Sequence, residues 1–150
     1  MLEIIKNRRS IRKYCRGQIP DTVIAELLEC GNSAPSGKNR KPWVFKVIKD
    51  SEEIHKISKL TTYSRFLRNA PIMILVYGNF DDTYPKEKDL LSIGCCIQNI
   101  LLAASCKGYG SCVIGELFGK KIDFIEPIEV FSTQLVCGIC IGTKNDMNDD

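Results

Sequence analysis

Histidine is almost missing from this chain: His55 is the only one in 150 residues. With no second C-x-x-C beside the one at Cys137, that disfavours a zinc site, which draws on clustered His and Cys ligands. Excess charge of one sign is also scarce. The net charge of +3 is too small to argue for nucleic acid and suits small anions such as phosphates or nicotinamide nucleotides. The opening M-L-E-I-I-K-N-R-R holds no apolar core of about 7–15 residues and no small-residue cleavage site, so no signal peptide is expected. The longest strongly apolar stretch, residues 93–105, carries Gln98 and Asn99 and reads as too short for a bilayer span of about 20 residues. No internal repeat or low-complexity linker is present. The expectation is a cytoplasmic protein with no membrane and no nucleic-acid partner. A chain that is 44% hydrophobic and 26% charged has the composition of a globular protein, here one domain over 1–150.

Cysteine is the residue in surplus. The eight lie at 15, 30, 95, 96, 106, 112, 137 and 140, mostly inside apolar segments, where a free thiol acts as a small hydrophobe. Cys137-Gly-Ile-Cys140 has the spacing of a redox pair. Such pairs sit at a helix N-terminus, where the thiol pKa is lowered. Q-L-V-C-G-I-C-I-G instead reads as a buried strand, in which residues three apart point to opposite faces.

Periodicity supplies the elements. Residues 2–7 form a short helix that delivers Arg8 and Arg9. Pro20 and Asp21 open a second helix, with Val23, Ile24, Leu27 and Leu28 on one face and Gly31-Asn32 at its end. W-V-F-K-V-I from Trp43 alternates as a strand. Ser51 with Glu52 and Glu53 starts a helix to about Leu60, with Ile54 and Ile57 inward. After Pro71, I-M-I-L-V-Y is a strand buried on both faces. A long helix spans about Lys86 to Lys107, with Ile93, Ile97, Ile100, Leu101 and Ala104 in one stripe. Leu90, Leu91, Leu102 and Ala103 add apolar area elsewhere, as at a subunit interface. Gly108 and Gly110 end it. Strands follow at Ser111–Ile114 and Leu135–Ile141. Helices alternating with strands around a central sheet give α/β or α+β.

Three motifs carry possible chemistry. R-R-S-I-R-K-Y, from Arg8 to Tyr14, concentrates guanidinium donors suited to phosphate or to an anionic ring. Taken alone it also reads as a solvated basic arm, or as a nucleic-acid contact with only Tyr14 available for stacking. A-P-S-G-K-N-R-K-P-W, from Ala34 to Trp43, is a turn exposing backbone donors, or a plain helix–strand connection with Trp43 as a core anchor. G-Y-G-S-C-V-I-G-E, from Gly108, brings bare backbone near a ligand face, or is a tight turn. Following a helix, it is not a dinucleotide-binding fingerprint.

In this order, and with S-I-G-C-C-I-Q-N-I-L-L-A-A before the third motif, the chain closely resembles the nitroreductase family from about Glu3 to Gly142. The resemblance implies an α+β sandwich with a central, mostly antiparallel sheet flanked by helices. It implies a homodimer with the long helix buried at its interface and FMN held between subunits. It further implies ping-pong transfer from NADH or NADPH to nitroaromatic, quinone or similar small-molecule acceptors. Carried over residue by residue, Arg8, Arg9 and Ser10 match contacts to the phosphate, ribityl chain or ring edge, and Arg12 matches a basic residue near the pyrimidine end. Pro35, Ser36 and Asn39 match positions reaching the flavin from the other subunit. Ile114 and Gly115 match the backbone facing the ring near N5. No side chain is implied as acid or base, because the flavin carries the chemistry. The chain departs from the family in having Lys41, not Gln, before Pro42-Trp43. After the last strand only Lys144 precedes the acidic N-D-M-N-D-D, and the segment before that strand is short, as in a reduced lid. An FMN-binding carrier or sensor with little turnover is therefore the alternative function.

Overall fold

The computed structural model describes residues 1–128 and 132–145. The acidic run beyond Asn145 and residues 129–131 of the short segment before the last strand lie outside the described residues. Helices α1 (Leu2–Asn7), α2 (Asp21–Asn32), α3 (Ser51–Ser58), α4 (Ser64–Leu67) and α5 (Lys86–Cys106) accompany strands β1 (Trp43–Ile48), β2 (Ile72–Asn79), β3 (Tyr109–Ile114) and β4 (Thr133–Thr143). The sheet order is β1-β2-β4-β3, and every neighbouring pair is antiparallel. The class is α+β, which resolves the choice that alternation alone left open.

The two central strands are buried on both faces, as their continuous apolar runs require. Ile72, Ile74 and Val76 of β2 face α2 and α5 together with Cys137, Ile139 and Ile141 of β4. Met73 and Leu75 face the opposite layer, with Ile54, Ile57, Leu67, Cys112, Ile114 and Cys140. Cys137 and Cys140 thus fall on opposite faces, and all eight cysteines are free. The register shifts between Val76 and Tyr77, which pair with Cys137 and Leu135. The extra residue, Val136, is a bulge that turns Leu135 into the second layer instead of the first. Against the first layer, α2 meets α5 closely at Gly31. A Cβ there would come within 2.9 Å of Ile100 and 3.2 Å of Cys96.

Several boundaries differ from the sequence reading. The cap of α3 is Asp50, whose carboxylate accepts from the Glu52 and Glu53 amides at 2.8 and 2.9 Å; Ser51 is already helical. Gly110 does not end α5. Gly108, with φ of +81°, makes that turn, and Gly110 lies inside β3. The four-residue α4 is too short to show a period. Helix α5 is buried along one face only: Leu91 is 75% exposed, and Gly94, Cys95 and Gln98 are exposed beside it. By length and composition alone its 21 residues are enough to cross a membrane, which corrects the shorter stretch read from residues 93–105.

Burial pushes the thiols of Cys96 and Cys137 up to about 12, and Cys140 is raised as well. These groups stay neutral in the fold where an unfolded chain would ionise. Stability is therefore expected to fall as pH rises from about 9 towards 12, read as a lower guanidinium midpoint at pH 10.5 than at pH 8. Iodoacetamide at pH 8 should leave Cys96, Cys112, Cys137 and Cys140 unmodified until denaturant is added. Alkylation of these four in the native protein would contradict their burial.

Candidate functional site

The basic motif is placed by the edge of β3. Ser10 forms a parallel bridge with Ser111, and the Ile11 amide donates to the Ser111 carbonyl at 2.9 Å. Tyr14 then pairs antiparallel with Lys144 beyond the end of β4. Its ring is buried, and its hydroxyl donates to the Ile11 carbonyl at 2.5 Å. Burial raises the pKa of that hydroxyl, so it stays a donor at any physiological pH. Residues 10–14 are therefore fastened to the sheet by two isolated bridges. Gly110 makes room for them: a Cβ there would lie 2.7 Å from the Ile11 side chain.

The motif's cations fall into two groups. Arg8 and Arg9 line a small cavity of about 130 Å³ with Asn7, Ser105, Ser111 and Lys144. Lys144, the last basic residue of the chain, thus joins the amino-terminal arginines. Arg9 is otherwise engaged: its guanidinium donates to the carbonyls of Lys6 and Arg8 at 2.8 and 2.9 Å. Arg12 lines a larger cavity of about 440 Å³ with Lys13, Tyr14, Arg65, Phe66, Asn69 and Asn145. Ser10 is exposed between them.

At the carboxyl end of β3, Ile114 is buried. Gly115 opens the 3-10 turn Gly115–Leu117, and a Cβ on it would meet nothing within 4 Å. Bare backbone facing open space is what a flat ring needs for close approach. Glu116 anchors the turn. Its carboxylate accepts from the Thr62 amide at 2.7 Å and the Thr62 hydroxyl at 2.6 Å. These bonds hold its pKa below the ordinary carboxylate value. They also tie the turn to the loop leading into α4, which carries Arg65.

Pro35, Ser36 and Asn39 stand apart. They line neither basic cavity. Pro35 and Asn39 are exposed, and the Ser36 Oγ accepts from the Lys41 amide at 2.9 Å. Their loop is strained: Lys38, Asn39 and Lys41 have φ of 54°, 54° and 47°, a region costing a non-glycine residue roughly 1–3 kcal/mol. Trp43 is a core anchor, its Nε1 donating to the Asn32 Oδ1 at 2.8 Å. Beside the loop, Asp81 is held down to about 2 by hydrogen bonds from Thr83 and Arg40. Its contribution is present above the ordinary carboxylate pKa and is lost as pH falls through about 2.

Arg65, Asn69 and the Thr62–Glu116 link escaped the sequence reading. Arg65 joins Arg12 only because α4 folds back over the second layer, and no spacing within Y-S-R-F-L-R-N-A encodes that. Among the described residues no group of three or more His, Cys, Asp or Glu could hold a metal ion.

Comparison with known proteins supplies the family. The model of the nitroreductase family matches residues 5–62 and 58–143. Two archaeal proteins described as "putative NADH dehydrogenase/NAD(P)H nitroreductase" are similar in sequence. The one from Archaeoglobus fulgidus is 38% identical over 115 residues, 76% of this chain and 66% of that protein. The one from Methanothermobacter thermautotrophicus is 36% identical over 113 residues, 74% of this chain and 58% of that protein. The aligned region thus spans 58–66% of these relatives. A crystal structure of a "putative nitroreductase in complex with FMN" from Desulfovibrio desulfuricans superposes with a TM-score of 0.87 at 29% identity, covering 99% of this chain and 88% of its own.

Replacing Gly110 by Ala should push Ile11 off the edge of β3 and destabilise the protein by about 1–3 kcal/mol. Thermal unfolding reads that loss, and faster exchange of the Ile11 amide locates it. An Ile11 amide protected as in the wild type would refute this placement of the arm.

Proposed function

The chain belongs to the nitroreductase family, and from that premise we propose that it is a one-domain, FMN-dependent oxidoreductase. It acts as a homodimer, passing reducing equivalents from NADH or NADPH to nitroaromatic, quinone or similar acceptors by ping-pong exchange. One observation carries this reading. A single strand, β3, holds the arginine arm along its edge and ends in the bare backbone of Gly115. Positive charge and an uncovered backbone face are thereby fixed to one rigid element, as a cofactor with a phosphate at one end and a flat ring at the other requires.

Bound FMN supplies the redox chemistry, accepting and releasing electron pairs. The chain's own residues bind and orient. Arg8, Ser10 and Lys144 surround the place for the phosphate, with Arg9 able to join by releasing its two carbonyls. Arg12 and Arg65 set positive charge at the pyrimidine end, which favours the reduced, anionic ring. Ile114 and Gly115 present backbone to the ring, and Glu116 holds that turn through Thr62. Pro35, Ser36 and Asn39 complete the site from a second subunit, which accounts for their distance from both basic cavities. The exposed stripe of α5 around Leu91 and Cys95 is the face on which that subunit packs. Eight free cysteines suit a reducing compartment. The engagement of Arg9 with carbonyls favours a second reading, a flavin carrier or sensor with weaker hold on the phosphate and little turnover.

Purified protein should be yellow, with flavin absorbance, and should elute as a dimer. Anaerobic NADH or NADPH should bleach it; colour without bleaching would select the carrier instead. A monomer that takes up no FMN would defeat both readings. Arg12→Ala should weaken FMN binding about tenfold and lower the flavin reduction potential, because charge is lost beside the reduced ring. An unchanged potential in that variant would remove Arg12 from the pyrimidine end.

A further inference from the structure

Beneath the strained loop lies an ion cluster that the flavin reading leaves unused. Arg40 sits within the loop, between the left-handed residues Asn39 and Lys41. Its Nη2 donates to Asp81 at 2.9 Å and lies 3.6 Å from a carboxylate oxygen of Asp89. Asp89, in the first turns of α5, is fully buried. Among the described residues, neither of its carboxylate oxygens nor the Arg40 Nε makes a hydrogen bond. The Tyr84 ring packs 4.9 Å from the guanidinium carbon. The Tyr84 hydroxyl closes over Gly37, where a Cβ would lie only 1.9 Å away.

A buried carboxylate opposed by a single arginine is a poor way to gain stability, since replacing such a pair by apolar residues is often neutral or better. It is an effective way to fix geometry. The cluster ties the loop at one point to the β2–α5 connection (Asp81 and Tyr84) and to the core face of α5 (Asp89). We propose that Arg40 is a positioning residue. Clamped by Asp89, Asp81 and Tyr84, it holds the loop of residues 36–41 with Lys38, Asn39 and Lys41 left-handed and so sets the face that Ser36 and Asn39 present to the flavin of the other subunit. This role rests on the flavin reading for its consequence, but not for its mechanics.

The test separates the two. Arg40→Met should speed hydrogen exchange of the Asn39 and Lys41 amides about tenfold or more in flavin-free protein. Both amides bond back to Ser36 in the native loop. In the same variant the FMN dissociation constant should rise about tenfold. The double variant Arg40→Met with Asp89→Leu removes both charges from the interior. Were the cluster only a source of stability, this variant would recover Tm, loop protection and FMN affinity together. The clamp instead requires Tm to recover while protection and affinity stay impaired. Recovery of all three overturns it, as does wild-type exchange at Asn39 and Lys41 in Arg40→Met. Should Arg40→Met fail to fold, Asp81→Asn removes one arm at a half-exposed position. It should shift both readouts about threefold in the same direction, and no shift would overturn the clamp. If the wild-type protein takes up no FMN, the flavin reading falls and the clamp is judged on the exchange data alone.

Discussion

The arrangement of this molecule depends on the free edge of β3. A parallel bridge at Ser10–Ser111 and the bond from the Ile11 amide to the Ser111 carbonyl fasten a basic arm with no period of its own to the sheet. The arm's course past that edge distributes its cations between two cavities. Arg8 and Arg9 fall towards Ser105 and Lys144, and Arg12 falls towards Arg65. Tyr14 fixes the far end of the arm: its ring packs so closely on Gly142 that a Cβ there would lie 2.8 Å away. Gly110 and Gly142 are thus the two places where the sheet gives up side chains so that the arm can seat.

The sheet behind the arm supplies rigidity. β2 and β4 are sealed on both faces, with roughly 1.5–3 kcal/mol available from each fully buried aliphatic side chain. The bulge at Val136 lets β4 serve the two layers unequally, moving Leu135 to the side of Leu75, Ile114 and Leu117. That is the layer under the 3-10 turn of Gly115, so an irregularity in one strand supports the backbone presented by its neighbour. The Thr62–Glu116 bonds extend the support to the α4 loop. The bare glycine can then be rigid without being covered, which is what a backbone contact to a flat ligand demands.

Much of this was legible in the sequence wherever a long apolar pattern met a clear stop. The I-M-I-L-V-Y run, the final strand and α5 are examples, as are the opposite faces of Cys137 and Cys140. The basic arm was legible as a cluster of cations but not as structure. R-R-S-I-R-K-Y carries no alternation, and its partner strand lies about a hundred residues away. Gly110 read as a helix stop because the sequence alone does not show that Ile11 occupies the place of its missing side chain. Arg65 and Arg40 were invisible for the same reason: each acquires its role from a contact far along the chain, Arg40 from Asp81 and Asp89, Arg65 from the cavity of Arg12. Resemblance reached the residues that carry motifs and passed over those that hold the motifs in place.

The proposed flavin site needs two copies of the chain. The arginine arm and the Gly115 turn are fixed to one sheet edge, while the loop at residues 35–41 is fixed to the β2–α5 connection and lines neither basic cavity. Folding alone does not unite them. Between these two half-sites α5 exposes Leu91 beside Gly94, Cys95 and Gln98, small or uncharged residues that a facing helix can approach closely. Strain in the loop sharpens the point. In the proposed dimer, a segment held at left-handed angles beside a buried ion cluster offers its geometry to the other subunit. In the proposed dimer, association assembles the site, so affinity for the cofactor and affinity between subunits would be linked quantities.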